Sequence, residues 1–187
     1  MKHFGVLLLT LALTQAHAQI PNFSLTNVMD GKTVSLESYS GNAGVLIIFT
    51  SNTCPYDEYY RGRITKLHKE FGDRVPLLLV NSNVDPTESN EAMTKKGRQL
   101  AMVVPYLSDK DQTVMQSLKA TKSSHCFLLK STSGKFTVFY NGALDDNAQV
   151  EADVRASYLR DAITAMLAGQ NVQTTEVRPV GCNIKRK

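Results

Sequence analysis

Residues 44–50, Gly-Val-Leu-Ile-Ile-Phe-Thr, form an unbroken apolar run rich in β-branched side chains. A strand of that kind offers no face to water, so its sheet must be covered on both sides, which is the demand of a layered α/β domain. The run passes through Ser51-Asn52-Thr53-Cys54-Pro55 into a second pattern, in which Tyr60, Ile64, Leu67 and Phe71 make one apolar helical stripe. Pro55 suits the first helical position, where its missing N–H costs nothing. Asp57 and Glu58 fall in the first turn, where the helix dipole favours acids. Gly72 ends the pattern. Cys54 is thereby placed at the junction of a buried strand and a helix.

The remaining chain fills in the layers. Phe23 to Leu36 alternates apolar and polar residues around Asp30-Gly31, a hairpin turn pair. Val75–Val80 reads as a second buried strand, and Ser89–Met102 as a charged, weakly amphipathic helix. Residues 105–107 are a short extended piece, and Gln112–Leu118 a short helix. Residues 126–129 and 136–140 read as two further strands, joined by a turn at Ser133-Gly134-Lys135. Val150–Leu167 reads as a long helix stopped by Gly169, with a polar tail from about residue 170. The expected order is β-α-β-α-β-β-α behind an N-terminal hairpin.

The first 18 residues, MKHFGVLLLTLALTQAHA, have a basic start, an apolar stretch and a small-x-small end, the pattern of a cleaved secretory leader. The stretch is well short of the roughly 20 apolar residues that span a bilayer. The expected mature domain is residues 19–187, exported to an oxidising space, the periplasm in a Gram-negative source. Lys and Arg number 21 against 17 Asp and Glu, but three of the basic residues end the chain, and without them the net charge of +4 falls to +1. That excess is too small to indicate a nucleic-acid surface. No glycine-rich phosphate loop follows the first buried strand, and no spaced Cys/His set is present, so neither a nucleotide cofactor nor a metal is expected.

Chemistry therefore falls to three cysteines, Cys54, Cys126 and Cys182. At a helix start the free N–H groups and the dipole stabilise a thiolate, which favours a reactive Cys54. Asp57 and Glu58 oppose this, and Arg61 and Arg63 offer positive charge on the same helix. The polar flanks Ser51, Asn52 and Thr53 suit an exposed edge better than a core. Cys126 opens an apolar strand and reads first as a core residue, with His125 beside it as a candidate base. Cys182 lies in the polar tail, from which it can fold back or reach another subunit.

These residues resemble the thioredoxin-like fold, and more narrowly the redoxin branch, the alkyl hydroperoxide reductase/thiol-specific antioxidant group that includes peroxiredoxins. Three stretches carry the resemblance: Asp30–Leu36 with Val45–Phe49; Asn52-Thr53-Cys54-Pro55-Tyr56 with Tyr60 and Arg63; and the tail Val180–Lys185. The resemblance implies a thiol-dependent, peroxidase-like oxidoreductase. Cys54 attacks a peroxide, Cys182, or less readily Cys126, resolves the sulfenic acid, and an external dithiol reduces the product. Ser51 is then expected to hydrogen-bond the thiolate or the peroxide, and Arg63 to stabilise negative charge. The alternatives are a thiol–disulfide oxidoreductase acting on exported proteins and a non-catalytic thioredoxin-like binding module. The departures are specific. Thr53 stands where thioredoxins carry Trp, Asp57 where they carry the second motif cysteine, and Ser123-Ser124 where the family's loop has Thr and a cis-proline. The Ser123–Ser124 peptide is expected to be trans.

Overall fold

The hairpin at the start of the chain is built on Asp30-Gly31, where Gly31 takes a φ of +75° and the Asp30 carboxylate accepts the Lys32 N–H. It joins β2 (Ser24–Asn27) to β3 (Thr33–Ser35). The structure is a computed structural model that describes residues 18–187; the expected leader lies outside these except for Ala18. A two-residue strand, β1 (Gln19–Ile20), precedes the hairpin and pairs with Phe136 and Thr137; it is too short to leave a sequence pattern.

The Gly44–Phe49 run is β4 and the second run is β5 (Leu77–Asn81), both buried throughout. They pair in parallel, and β5 pairs in parallel with β6 (Tyr106–Ser108). The strands β7 (Cys126–Thr132) and β8 (Lys135–Gly142) continue the sheet antiparallel on the other side of β4. The result is one eight-stranded mixed sheet in the order β1-β8-β7-β4-β5-β6-β2-β3.

Alternation along β4 builds two cores. Leu46 and Ile48 pack with Tyr60, Leu67 and Phe71 of α1 (Pro55–Phe71) and Leu159 and Ile163 of α4 (Tyr158–Leu167). Val45, Ile47 and Phe49 pack on the other face with Val114, Met115 and Leu118 of α3 (Thr113–Leu118). Truncating a side chain such as Ile48 to Ala costs about 2–5 kcal/mol in a core of this kind.

Two helices are shorter than their patterns. The second, α2, covers Asn90–Gln99, with the Ser89 hydroxyl accepting the Ala92 N–H at its start. The expected long helix from Val150 is broken. Residues 151–153 make a single 3-10 turn, and α4 begins only at Tyr158. Local side chains have captured the backbone: Asn147 Oδ1 accepts the N–H groups of Gln149 and Val150, and Asp146 Oδ1 accepts that of Arg155. Asn and Asp offer the chain these alternatives to helix wherever they stand.

The tail does not trail away. It pairs with Asn141 at Glu176 and with Lys122 at Asn183, and it buries Ile184 in the second core. Gly181 permits the close pass, because a Cβ there would overlap the Ser123 carbonyl oxygen. Among the described residues no helix is long and apolar enough to cross a membrane.

Candidate active site around Cys54 and Cys182

Beyond Phe49 the chain leaves the sheet at the carboxyl ends of the parallel strands, where loops of an α/β sheet converge. Thr50 keeps one last bond to Val80, 2.9 Å. Cys54 then caps α1 with extended backbone, and Pro55 is the first helical residue. Cys54 is 5% exposed. It forms a disulfide with Cys182, 128 residues away, with the Cα atoms 5.8 Å apart. The tail reaches it by pairing with the Ser123–Ser124 loop. Ser123 N–H donates to Cys182 O at 2.8 Å, and Cys182 N–H donates to Ser123 Oγ at 3.2 Å. No cis peptide occurs among the described residues; Ser124 instead takes a φ of +64°.

Glu88 organises the loop before Cys54. Its buried carboxylate accepts Ser51 Oγ (2.6 Å), Asn52 N–H (2.8 Å), Thr53 Oγ1 (3.0 Å) and Asn81 Nδ2 (2.7 Å). Tyr106 O–H closes the cluster by donating to Asn52 Oδ1 at 2.8 Å. Ser51 is therefore corrected: its hydroxyl is committed to Glu88 rather than directed at the Cys54 sulfur. Nothing in the spacing of residues 85–88 marked Glu88. Its one available signal was position, on a loop after a parallel strand.

Arg63 is corrected as well. At roughly 100° per residue, nine steps from Cys54 carry it to the far face of the helix, whereas seven steps bring Arg61 back to the cysteine's face. Arg63 is buried against Asp145 at 2.5 Å and donates to the carbonyls of Tyr59, Asn147 and Ala148. It serves structure. Arg61 lines a cavity of about 360 Å³ together with Cys54, Asp57, Lys96, Met102 and Tyr106, and pairs with Glu58.

Asp57, which the sequence marks as a dipole partner, as an opponent of the thiolate and as the residue at the second motif cysteine position, is a second site residue whose contacts the sequence does not reveal. Its Oδ2 accepts Ser51 N–H (3.1 Å) and its Oδ1 accepts Ser124 Oγ (3.3 Å). Burial pushes its carboxyl up to about 7, against the pull of these hydrogen bonds.

Cys126 is fully buried in the first core, with its thiol pushed up by burial and donating to Ser124 O at 3.4 Å. His125 is also buried. Both ring nitrogens lack partners, the ring packs 4.2 Å from that of Phe127, and burial lowers its pKa to about 4. It stays neutral at physiological pH, and among the described residues no hydrogen bond ties its ring to either disulfide sulfur. Among the described residues no group of three or more His, Cys, Asp or Glu is placed to hold a metal.

Comparison with known proteins places this geometry. A family model described as the AhpC/TSA family matches residues 16–145, a span that stops short of Cys182. No curated protein matches. Among solved structures, an uncharacterized conserved protein of Geobacillus kaustophilus is similar with 29% identity and a TM-score of 0.81, over 91% of this chain and 92% of that one. A hypothetical protein of Sinorhizobium meliloti 1021 is similar with 27% identity and a TM-score of 0.80, over 94% and 97%. The peroxidoxin BcpB of Mycobacterium tuberculosis shares the thioredoxin-like fold, with 17% identity and a TM-score of 0.58 over 81% and 96%.

Proposed function

The chain belongs to the AhpC/TSA family of thioredoxin-like redoxins, and from that premise we propose that it is an exported, peroxiredoxin-like enzyme that reduces peroxides through Cys54. The observation that carries this is the disulfide between Cys54, at a helix start, and Cys182, on a tail built to meet it. The Cys54 thiolate attacks one oxygen of the peroxide. The O–O bond breaks, an alcohol or water leaves, and Cys54 becomes a sulfenic acid. Cys182 condenses with it, releasing water and forming the disulfide. An external dithiol then supplies two electrons and two protons and leaves as its own disulfide. Cys126 has no part in the cycle, because it is sealed in the core. Export to the periplasm is part of the proposal and rests on the leader pattern of Met1–Ala18.

The test follows peroxide loss with dithiothreitol as recycling reductant. Wild type turns over and Cys54→Ser falls to the uncatalysed background; without dithiothreitol, Cys182→Ser consumes about one equivalent and stops at the Cys54 sulfenic acid, where wild type stops at the disulfide. Wild-type turnover retained in Cys54→Ser overturns the proposal. Reduction of a protein disulfide with peroxide left untouched replaces it with disulfide exchange, and neither activity leaves a binding module.

A further inference from the structure

Asp57 is the third residue of α1, and Cys54 is its cap. Cap and third-residue side chains are the pair that meets at a helix start. Asp57 does not turn back to the Cys54 N–H as a capping box would. It reaches across, with one oxygen on Ser51 N–H and the other on Ser124 Oγ. The neighbouring Ser123 holds Cys182 at both its N–H and its carbonyl. The carboxyl is thus fixed between the loop that carries one sulfur and the loop that grips the other, and it shares a cavity wall with Cys54. It forms no ion pair among the described residues.

We propose that Asp57 is the proton-exchanging group of the disulfide step, in both directions. The proposal rests on the Cys54–Cys182 cycle set out above. When the disulfide forms, Asp57 as carboxylate accepts the proton of the Cys182 thiol. The S–S bond forms, the S–O bond of the Cys54 sulfenic acid breaks, and the proton passes to the departing hydroxide as water. When an external dithiol opens the disulfide, its first thiolate forms a mixed disulfide and one protein thiolate is released. Asp57 as the acid protonates that thiolate. The second thiol of the reductant loses its proton as it closes the reductant's own disulfide, and that proton restores Asp57.

A group that both takes and gives a proton near neutrality works best when its pKa lies there, and burial holds Asp57 at about 7. The other ionisable groups around it come from several elements. Glu58 and Arg61 share its helix and are paired with each other. Lys96 of α2 and Tyr106 of β6 line the same cavity, with His68 and Lys69 farther along α1. Glu88 stands behind the Ser51 hydroxyl. Cys126 of β7 and Tyr106 are both pushed up by burial and stay neutral at physiological pH.

The experiment uses the oxidised and reduced full mature chain as wild type, Asp57→Asn and Asp57→Glu, between pH 5 and 9. Disulfide opening by dithiothreitol and disulfide closing after one equivalent of hydrogen peroxide are followed by alkylation and gel shift. Dividing the wild-type rate by the Asp57→Asn rate at each pH removes the ionisation of the reagent. The expected ratio is about 10- to 100-fold. It falls above pH 7 for opening and rises through pH 7 for closing, and Asp57→Glu restores both inflections. A ratio that is flat with pH in both directions overturns the proposal and leaves Asp57 a positioning residue. If Asp57→Asn does not fold, the carboxyl itself is titrated in wild type by NMR, and a pKa near 4 in both redox states overturns it. The opening reaction needs no peroxide. Inflections there with no peroxide consumption sink the peroxidase reading and keep Asp57's role; peroxide consumption without inflections does the reverse.

Discussion

At its third turn α1 holds Arg63 against Asp145, with side-chain exposures of 6% and 2%, and the two terminal guanidinium nitrogens also donate to three backbone carbonyls while Nε is left without a partner. At its first turn the same helix holds Asp57 against nothing but neutral donors, the Ser51 N–H and the Ser124 hydroxyl among them. A buried charge whose task is structural is matched by an opposite one, since an unmatched ion is expensive away from water. Asp57 is left unmatched, and its environment pays by holding the proton on to about pH 7. Unmatched burial of a titratable group beside reactive sulfur is the arrangement expected of a working site.

The widest separation between the two regions comes from removing the matched charge. Arg63→Met strands Asp145 in the interior and is expected to cost about 3–5 kcal/mol of stability, read as a lower urea midpoint. Adding Asp145→Leu recovers most of that loss. The dithiothreitol rate of the folded protein does not change in either variant. A slowed disulfide reaction would draw Arg63 back into the chemistry.

Asp57→Asn is expected to act in the opposite sense. Asp57 binds its proton more tightly folded, near 7, than unfolded, near 3.9. Its contribution is present in full below about pH 4 and is lost as pH rises through 7. The Asn variant has nothing to ionise. It is therefore more stable than wild type at pH 8, by roughly 2–4 kcal/mol, and the advantage vanishes towards pH 4. Urea unfolding of the oxidised proteins at both pH values checks this. Stability gained together with disulfide chemistry slowed is the combination that distinguishes the first turn from the third.

Glu88→Gln keeps the shape but places an amide where four donors converge, and is expected to cost about 1–3 kcal/mol. Faster proteolysis confined to residues 51–53 would report the loosened loop. Cys126→Val exchanges one small apolar side chain for another in a dry core and is expected to cost under about 1.5 kcal/mol. It leaves disulfide opening unchanged, and any slowing would contradict the assignment of Cys126 to packing.

Much of the frame is legible in the sequence because it depends on periodicity. The apolar run at 44–50, the 3–4 spacing from Tyr60 to Phe71 and the Asp30-Gly31 turn each specify an element, and Cys54-Pro55 specifies where strand meets helix. The site is less legible because it depends on which residues of distant loops meet. Glu88 lies 37 residues from Ser51 and claims its hydroxyl. Arg63 is close to Cys54 along the chain but is turned away by the helix, and its partner Asp145 lies 82 residues on. Val150–Leu167 reads as one helix from its periodicity, which does not register the Asn147 and Asp146 side chains just upstream that capture the backbone there.

The central claim is that Cys54 and Cys182 form one redox pair while Cys126 stands apart. The direct measurement adds one equivalent of hydrogen peroxide to the reduced protein of residues 19–187, quenches with an alkylating agent within seconds and maps the peptides by mass spectrometry. The account predicts a Cys54–Cys182 cross-link as the main product, with Cys126 reduced and alkylated only after unfolding. Three thiols still reduced after many minutes, or a cross-link through Cys126, would contradict it.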